Sequence, residues 1–159
     1  MYPFQEGGGS SPGMPMKKSE IASKLFESQF NCSQALLGAF GVDLGMDRDL
    51  CLKISTIFGA GITRRQHVCG AVSGALMVLG LKFGQGQEDD YAVKQRAYEI
   101  GERFLKEFEE RHGSILCRDL LNFDISTEEA RKSDEAIKLF TTVCPSLVKS
   151  AAEIVDAMI

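Results

Sequence analysis

The chain has 159 residues and a mass of 17.4 kDa, which fits a single domain with a hydrophobic core. Hydrophobic residues make up 44% of it and charged residues 25%, a balance that excludes wholesale disorder. Acidic residues outnumber basic ones by 22 to 18, so we do not expect a nucleic-acid-binding protein. The uncharged, apolar stretch at residues 68–81 is too short to span a bilayer.

The first 17 residues differ in composition from the rest of the chain. They contain Pro3, Pro12 and Pro15 and lack the basic start and apolar stretch of a secretory signal. We therefore interpret residues 1–17 as a flexible leader or a remnant of expression, and residues 18–159 as one helical redox domain. Without a signal, we expect a cytoplasmic protein, in which thiols are kept reduced.

Three helices are predicted in the first part of the domain, each from a capping residue. Ser19 is a candidate cap of the first helix. Asn31 caps the second, with Gln34 three residues later as in a capping box. Asp47 or Asp49 opens the third, which ends at the glycines of the FGAGI segment.

The fourth predicted helix, residues 66–82, forms the centre of the fold. Its sequence carries almost no charge, and a helix that is apolar all round must be buried. Gly70, Gly74 and Gly80 lie within it, although glycine costs a helix about 1 kcal/mol relative to alanine. These glycines indicate either tight helix packing or room for a sulfur pair or cofactor beside Cys69.

The fifth predicted helix, about residues 88–112, is the longest and ends at Gly113. Six residues form one stripe along it at helical spacing: Val93, Ala97, Ile100, Gly101, Phe104 and Phe108. This stripe on a long helix leads us to expect a homodimer.

Three further helices complete the prediction. Ser114 caps a short helix, and Ser126 or Thr127 caps the next, which runs through Ala136 and Phe140. Pro145 begins the last helix, since proline favours the first helical position. The sequence thus predicts an all-α fold, a compact single-domain bundle of about six to eight helices.

Four of the five cysteines are predicted to lie at helix starts. Cys32 follows the cap Asn31, Cys69 and Cys117 fall in first turns, and Cys144 precedes Pro145 as an N-cap. A helix start stabilises a thiolate through its free N–H groups and dipole, and the thiolate is both the nucleophile of disulfide exchange and the metal ligand. The alternative for each is a small buried hydrophobic residue.

The sequence also indicates roles for the fifth cysteine and for the basic residues near Cys69. Cys51 falls within the third helix and is predicted to be a core cysteine. Arg64 and Arg65 precede Cys69, which makes Cys69 the expected attacking sulfur. His67 is interpreted as a loop histidine. No C-x-x-C pair is present, so thioredoxin-like, zinc-ribbon and c-type haem motifs are excluded.

The order and context of these cysteines resemble those of the C_GCAxxG_C_C family of small, redox-active bacterial proteins. The resemblance rests on the NCSQA segment, the C-G-A-x-x-G motif at residues 69–74, and the C-R-D-L-L and TVCPSLV segments. By position it implies that the four family cysteines are Cys32, Cys69, Cys117 and Cys144. It also implies redox activity, and, because members tend to be encoded near transporters, association with a transporter system.

Two functional hypotheses follow. In the first, the four cysteines catalyse thiol–disulfide exchange as an oxidoreductase, with a cellular thiol or an electron-transfer partner; three pairings are open. In the second, the same four thiolates ligate an iron–sulfur cluster or a zinc ion in an electron-transfer or metal-binding module. A structural partner of a transporter with incidental thiols is a third hypothesis.

Overall fold

The computed structural model describes residues 13–159, and within that range it contains eight right-handed α-helices and no strand. The all-α prediction is confirmed; residues 1–12 of the predicted leader lie outside the described residues. The helices, in chain order, are α1 (Lys18–Ser28), α2 (Cys32–Phe40), α3 (Arg48–Ser55), α4 (Gly70–Phe83), α5 (Tyr91–His112), α6 (Cys117–Leu121), α7 (Glu128–Arg131) and α8 (Asp134–Met158). None of the helices in residues 13–159 is long and apolar enough to cross a membrane.

Helix α4 lies at the centre and packs against α2, α5 and α8. All its residues from 70 to 79 are buried or half-buried, as its uncharged sequence predicted. A Cβ on Gly74 would lie 2.7 Å from the carbonyl oxygen of Ser33 and 2.8 Å from the Cβ of Leu36, so this glycine allows α2 to approach. Gly80 is exposed, and a Cβ at this position would have no neighbouring atom within 4 Å, so packing does not require a glycine there.

Helix α8 corrects the prediction for the C-terminal part of the chain. It is one continuous helix that contains Pro145, whereas the sequence predicted that a separate helix begins there. An internal proline removes one backbone hydrogen bond and costs about 3 kcal/mol. A continuous apolar face offsets this cost; its buried residues are Ala136, Leu147, Val148, Ala151, Ala152, Ile154 and Val155. Cys144 consequently lies inside a helix, and its predicted position as an N-cap is wrong.

Two of the predicted N-terminal caps are confirmed and one is wrong. The Asn31 side chain accepts a hydrogen bond from the Gln34 N–H at 3.0 Å, and Asp47 caps helix α3 by accepting from the N–H of Leu50. Ser19 is not a cap, because α1 begins at Lys18. It is buried inside the first turn instead.

The caps near α6, α7 and α8 also differ in detail from the prediction. Helix α6 begins at Cys117, later than a cap at Ser114 predicts. The Ser114 hydroxyl instead accepts a hydrogen bond from the N–H of Leu116 at 3.0 Å. Thr127 does cap a helix, but α7 is a single turn, and Ser133 then caps α8. The two segments are thus separate although their residues were predicted as one helix.

Helix α5 uses only part of its apolar stripe in the core. Phe104 and Phe108 are fully buried, whereas Ile100 and Val93 are half-buried. The helix packs on α4 and α8. The homodimer expected from this stripe stays a prediction.

Candidate active site

One cavity of about 250 Å³ is lined by all four cysteines that the sequence singled out. Cys32 is the first residue of α2, Cys69 is the N-cap of α4, Cys117 is the first residue of α6, and Cys144 lies within α8. All five thiols of the chain are free. Cys51 is fully buried and does not line this cavity.

The start of α2 is fixed by Asn31, which also lines the cavity. Its Nδ2 donates a hydrogen bond to the carbonyl oxygen of Thr56 at 2.7 Å, which ties the end of α3 to the start of α2. A Cβ on Gly70 would lie 3.1 Å from the Cβ of Cys32. Because Gly70 has no side chain, the start of α4 can lie directly beside Cys32.

A short backbone pairing places Cys69 and Cys117 beside each other. The N–H of Cys69 donates to the carbonyl oxygen of Ile115 at 2.8 Å, and the N–H of Cys117 donates to that of His67 at 2.7 Å. Successive residues of an extended segment point to opposite faces. Cys69 and Cys117 each come one residue after the directly paired position of their segment, so both lie on the same face of the pairing. The pairing also explains why α4 begins at Gly70 and not at residue 66, since the intervening residues are extended.

A left-handed turn forms one wall of the cavity. Five consecutive residues, 60–64, have φ between 50° and 67°, a conformation that costs about 1–2 kcal/mol for each residue other than glycine. The N–H of His67 donates to the carbonyl oxygen of Gly61 at 2.9 Å, and the N–H of Thr63 donates to that of Ile57 at 2.9 Å. The turn brings Ala60, Gly61 and Arg64 to the cavity.

Gln66 joins this turn to the loop that follows α6. Its side chain is buried; Nε2 donates to the carbonyl oxygen of Phe123 at 2.8 Å, and Oε1 accepts the N–H of Ile125 at 3.0 Å. Both polar atoms are thus satisfied. Because Ile125 lines the cavity, Gln66 fixes two of its walls relative to each other.

Cys32 and Cys144 form a hydrogen-bonded pair. The Cys32 S–H donates to the sulfur of Cys144, which raises the pKa of Cys32 well above its usual value and lowers the pKa of Cys144. Burial and the neighbouring thiols raise the pKa of Cys32 further, whereas a backbone N–H also lowers that of Cys144. Cys144 is therefore the more acidic thiol of the pair, and both residues are half-buried.

Cys69 and Cys117 are the buried, protonated thiols of the cavity. Burial raises the pKa of Cys69 to about 11, although the N–H groups of Ala71 and Val72 oppose it. Burial, together with Cys69 and Cys144, raises the pKa of Cys117 to about 12. The expectation that the helix start and two arginines favour the ionised form of Cys69 is wrong, because the loss of hydration outweighs the two backbone N–H groups.

The four thiols of the cavity are also the candidate ligands of a metal. Thiolates are the ligands that iron–sulfur clusters and structural zinc use. Within residues 13–159, however, no group of three or more His, Cys, Asp or Glu side chains is arranged to hold a metal ion. The four thiols as placed therefore do not fit a bound metal.

Two features of the site have little signal in the sequence. Arg131 lines the cavity from the end of α7, and its Nη1 donates to the carbonyl oxygens of Ile125 and Ser126, each at 2.9 Å. Gln66 is an isolated polar residue whose burial no pattern indicates. The glycines of the FGAGI segment were the available signal for the left-handed turn, but the same glycines are typical of a helix end, which is how they were interpreted.

The comparisons with known proteins agree with the arrangement of the cysteines. Residues 30–158 match the family described as "Putative redox-active protein (C_GCAxxG_C_C)". No curated protein and no solved structure matches the chain. The match begins just before Cys32 and extends past Cys144, so it includes every cysteine of the cavity. Since it also spans most of the sequence, the chain belongs to the C_GCAxxG_C_C family of redox-active proteins.

Proposed function

We propose that the protein is a thiol–disulfide oxidoreductase in which Cys144 is the attacking thiolate and Cys32 is the resolving thiol. The observation that carries the proposal is that Cys32 and Cys144 line one cavity and interact there, since Cys144 raises the pKa of Cys32 and Cys32 lowers the pKa of Cys144. Two thiols that interact across one cavity are the natural pair for a disulfide. Both residues are also half-buried, whereas Cys69 and Cys117 are buried.

The reaction takes two steps. The Cys144 thiolate attacks one sulfur of a substrate disulfide, RS–SR, so that a mixed disulfide forms and RS⁻ leaves. The leaving thiolate takes the proton of Cys32, and the Cys32 thiolate then attacks Cys144 and releases the second RS⁻. Two electrons pass from the cysteine pair to the substrate. A cellular dithiol reverses the sequence and restores the reduced pair.

The buried pair, Cys69 and Cys117, acts as the internal acceptor of the disulfide. Both thiols lie beside the first pair and stay protonated near neutral pH, since their pKa values are raised to about 11 and about 12. Exchange would reduce Cys32–Cys144 and oxidise Cys69–Cys117, with no change in the total number of electrons. A slower second step is expected, because few of these thiols are ionised.

Trapping the mixed disulfide tests the proposal. The reduced protein is mixed with a neutral disulfide, and its products are mapped by mass spectrometry. The first product of the wild type should be a Cys32–Cys144 disulfide, and Cys32→Ser should accumulate the mixed disulfide on Cys144. Cys51→Ser is the matched control and should behave as the wild type. A first adduct on Cys69 or Cys51 would overturn the assignment.

A further inference from the structure

The charged residues of the cavity are all of one sign. Arg64 and Arg131 line it, and the other described residues of its wall are apolar, thiol or amide side chains. This is unexpected for a chain with 22 acidic and 18 basic residues. Charge complementarity between a pocket and its ligand is a common source of specificity.

Both arginines have capacity to bind an anion. Within residues 13–159, neither Arg64 nor Arg131 forms an ion pair with a carboxylate. The Nη1 of Arg131 donates to two backbone carbonyl oxygens. Both arginines line the same cavity as the four cysteines, so one small molecule bound there can meet a sulfur and a guanidinium.

The position of Arg64 is held at an energetic cost. It has φ of 67° at the end of the left-handed turn, which is strained backbone for a residue with a Cβ. Strain of this kind is found preferentially at binding and active sites. Arg65, the next residue, does not line the cavity, so the turn selects one arginine of the adjacent pair.

We propose that the substrate is a small disulfide that carries carboxylates, with its sulfur against Cys144 and a carboxylate against Arg64 and Arg131. This inference rests on the proposed function and names the substrate class of the same site. A cavity of about 250 Å³ is smaller than the usual pocket for a drug-sized ligand, which fits one half of such a disulfide. A guanidinium binds a carboxylate by two parallel hydrogen bonds.

Three disulfides of similar size and different charge test the proposal. They are 3,3′-dithiodipropionate (a dianion), bis(2-hydroxyethyl) disulfide (neutral) and cystamine (a dication). For each disulfide, the rate constant for oxidation of the reduced protein is divided by the rate constant for reaction of the same disulfide with dithiothreitol, which removes the intrinsic reactivity of the disulfide. We expect the normalised rate to be at least tenfold higher for the dianion than for the dication, and this ratio to shrink in 1 M salt.

Two arginine variants separate the pocket from the general charge of the protein. Arg64→Gln should lower the dianion-to-neutral rate ratio by about three- to tenfold. Arg65→Gln removes the same charge one residue away and should leave the ratio at its wild-type value. Equal effects of the two variants, or a normalised dication rate that matches the dianion rate, would overturn the substrate assignment.

The result also distinguishes this inference from the function on which it rests. If none of the three disulfides oxidises the Cys32–Cys144 pair, the proposed oxidoreductase function fails, and the substrate assignment fails with it. If the neutral disulfide reacts but no charge preference is found, only the substrate assignment fails.

Discussion

Replacing Cys32 tests whether its S–H makes Cys144 reactive. Cys32→Ala removes the donor of the hydrogen bond that lowers the pKa of Cys144. A hydrogen bond to a charged group contributes about 1.5–3 kcal/mol, and because S–H is a weak donor we take about 1.5 kcal/mol. That free energy corresponds to about a tenfold change in the population of the ionised form. Alkylation of Cys144 at neutral pH should therefore slow about tenfold.

The matched variant is Cys32→Ser, whose hydroxyl can still donate to the Cys144 thiolate. Its alkylation rate should stay near the wild-type rate or exceed it. The assay is the rate of iodoacetamide addition to Cys144, followed by mass spectrometry from pH 5 to 10. As pH falls through the lowered pKa of Cys144, the thiolate is lost, and in Cys32→Ala this loss should occur at higher pH. Equal rates in Cys32→Ala and the wild type would refute the reasoning.

Three further predictions concern stability and the remaining cysteines. Gly74→Ala should lower the free energy of unfolding by about 1–3 kcal/mol, because a Cβ at this position meets the backbone of α2. Gly80→Ala places its Cβ in open space and should raise the free energy of unfolding by about 0.5–1 kcal/mol in the same urea titration. Burial raises the pKa of Cys69 to about 11 and that of Cys117 to about 12. The contribution of these two thiols to stability should therefore be complete below pH 9 and be lost as the pH rises toward those values. Cys117→Ala should make this decline of stability with pH shallower in urea titrations of the reduced protein. Cys51→Ala should leave the rate of disulfide reduction unchanged in a coupled assay, since this thiol lies outside the cavity.

Local signals in the sequence were sufficient to predict much of the fold. The Asn31 and Gln34 pattern marked the start of α2, and the uncharged stretch around Val72 and Val78 marked the buried central helix. These predictions succeeded because capping and burial depend on neighbouring residues in the chain. The prediction for Pro145 failed because a long-range apolar face, which the local rule for proline ignores, keeps α8 continuous.

The site was predictable as a set of residues but not as a mechanism. The sequence selected the four cysteines that share the cavity, yet it chose Cys69 as the attacking sulfur from its helix start and nearby arginines. Burial raises the pKa of Cys69, whereas the interaction with Cys32 lowers the pKa of Cys144. Both effects depend on which helices meet, and residues 32 and 144 are too far apart in the chain for any local pattern to pair them.

The most direct test of Cys144 as the nucleophile is competitive alkylation of the reduced, native protein with less than one equivalent of iodoacetamide at pH 7. Peptide mapping then shows which thiol reacts first. We expect Cys144 to react first, because it is partly exposed and its pKa is lowered, with Cys51 among the slowest. A first adduct on Cys69 or Cys117, whose pKa values are raised by burial, would contradict this assignment.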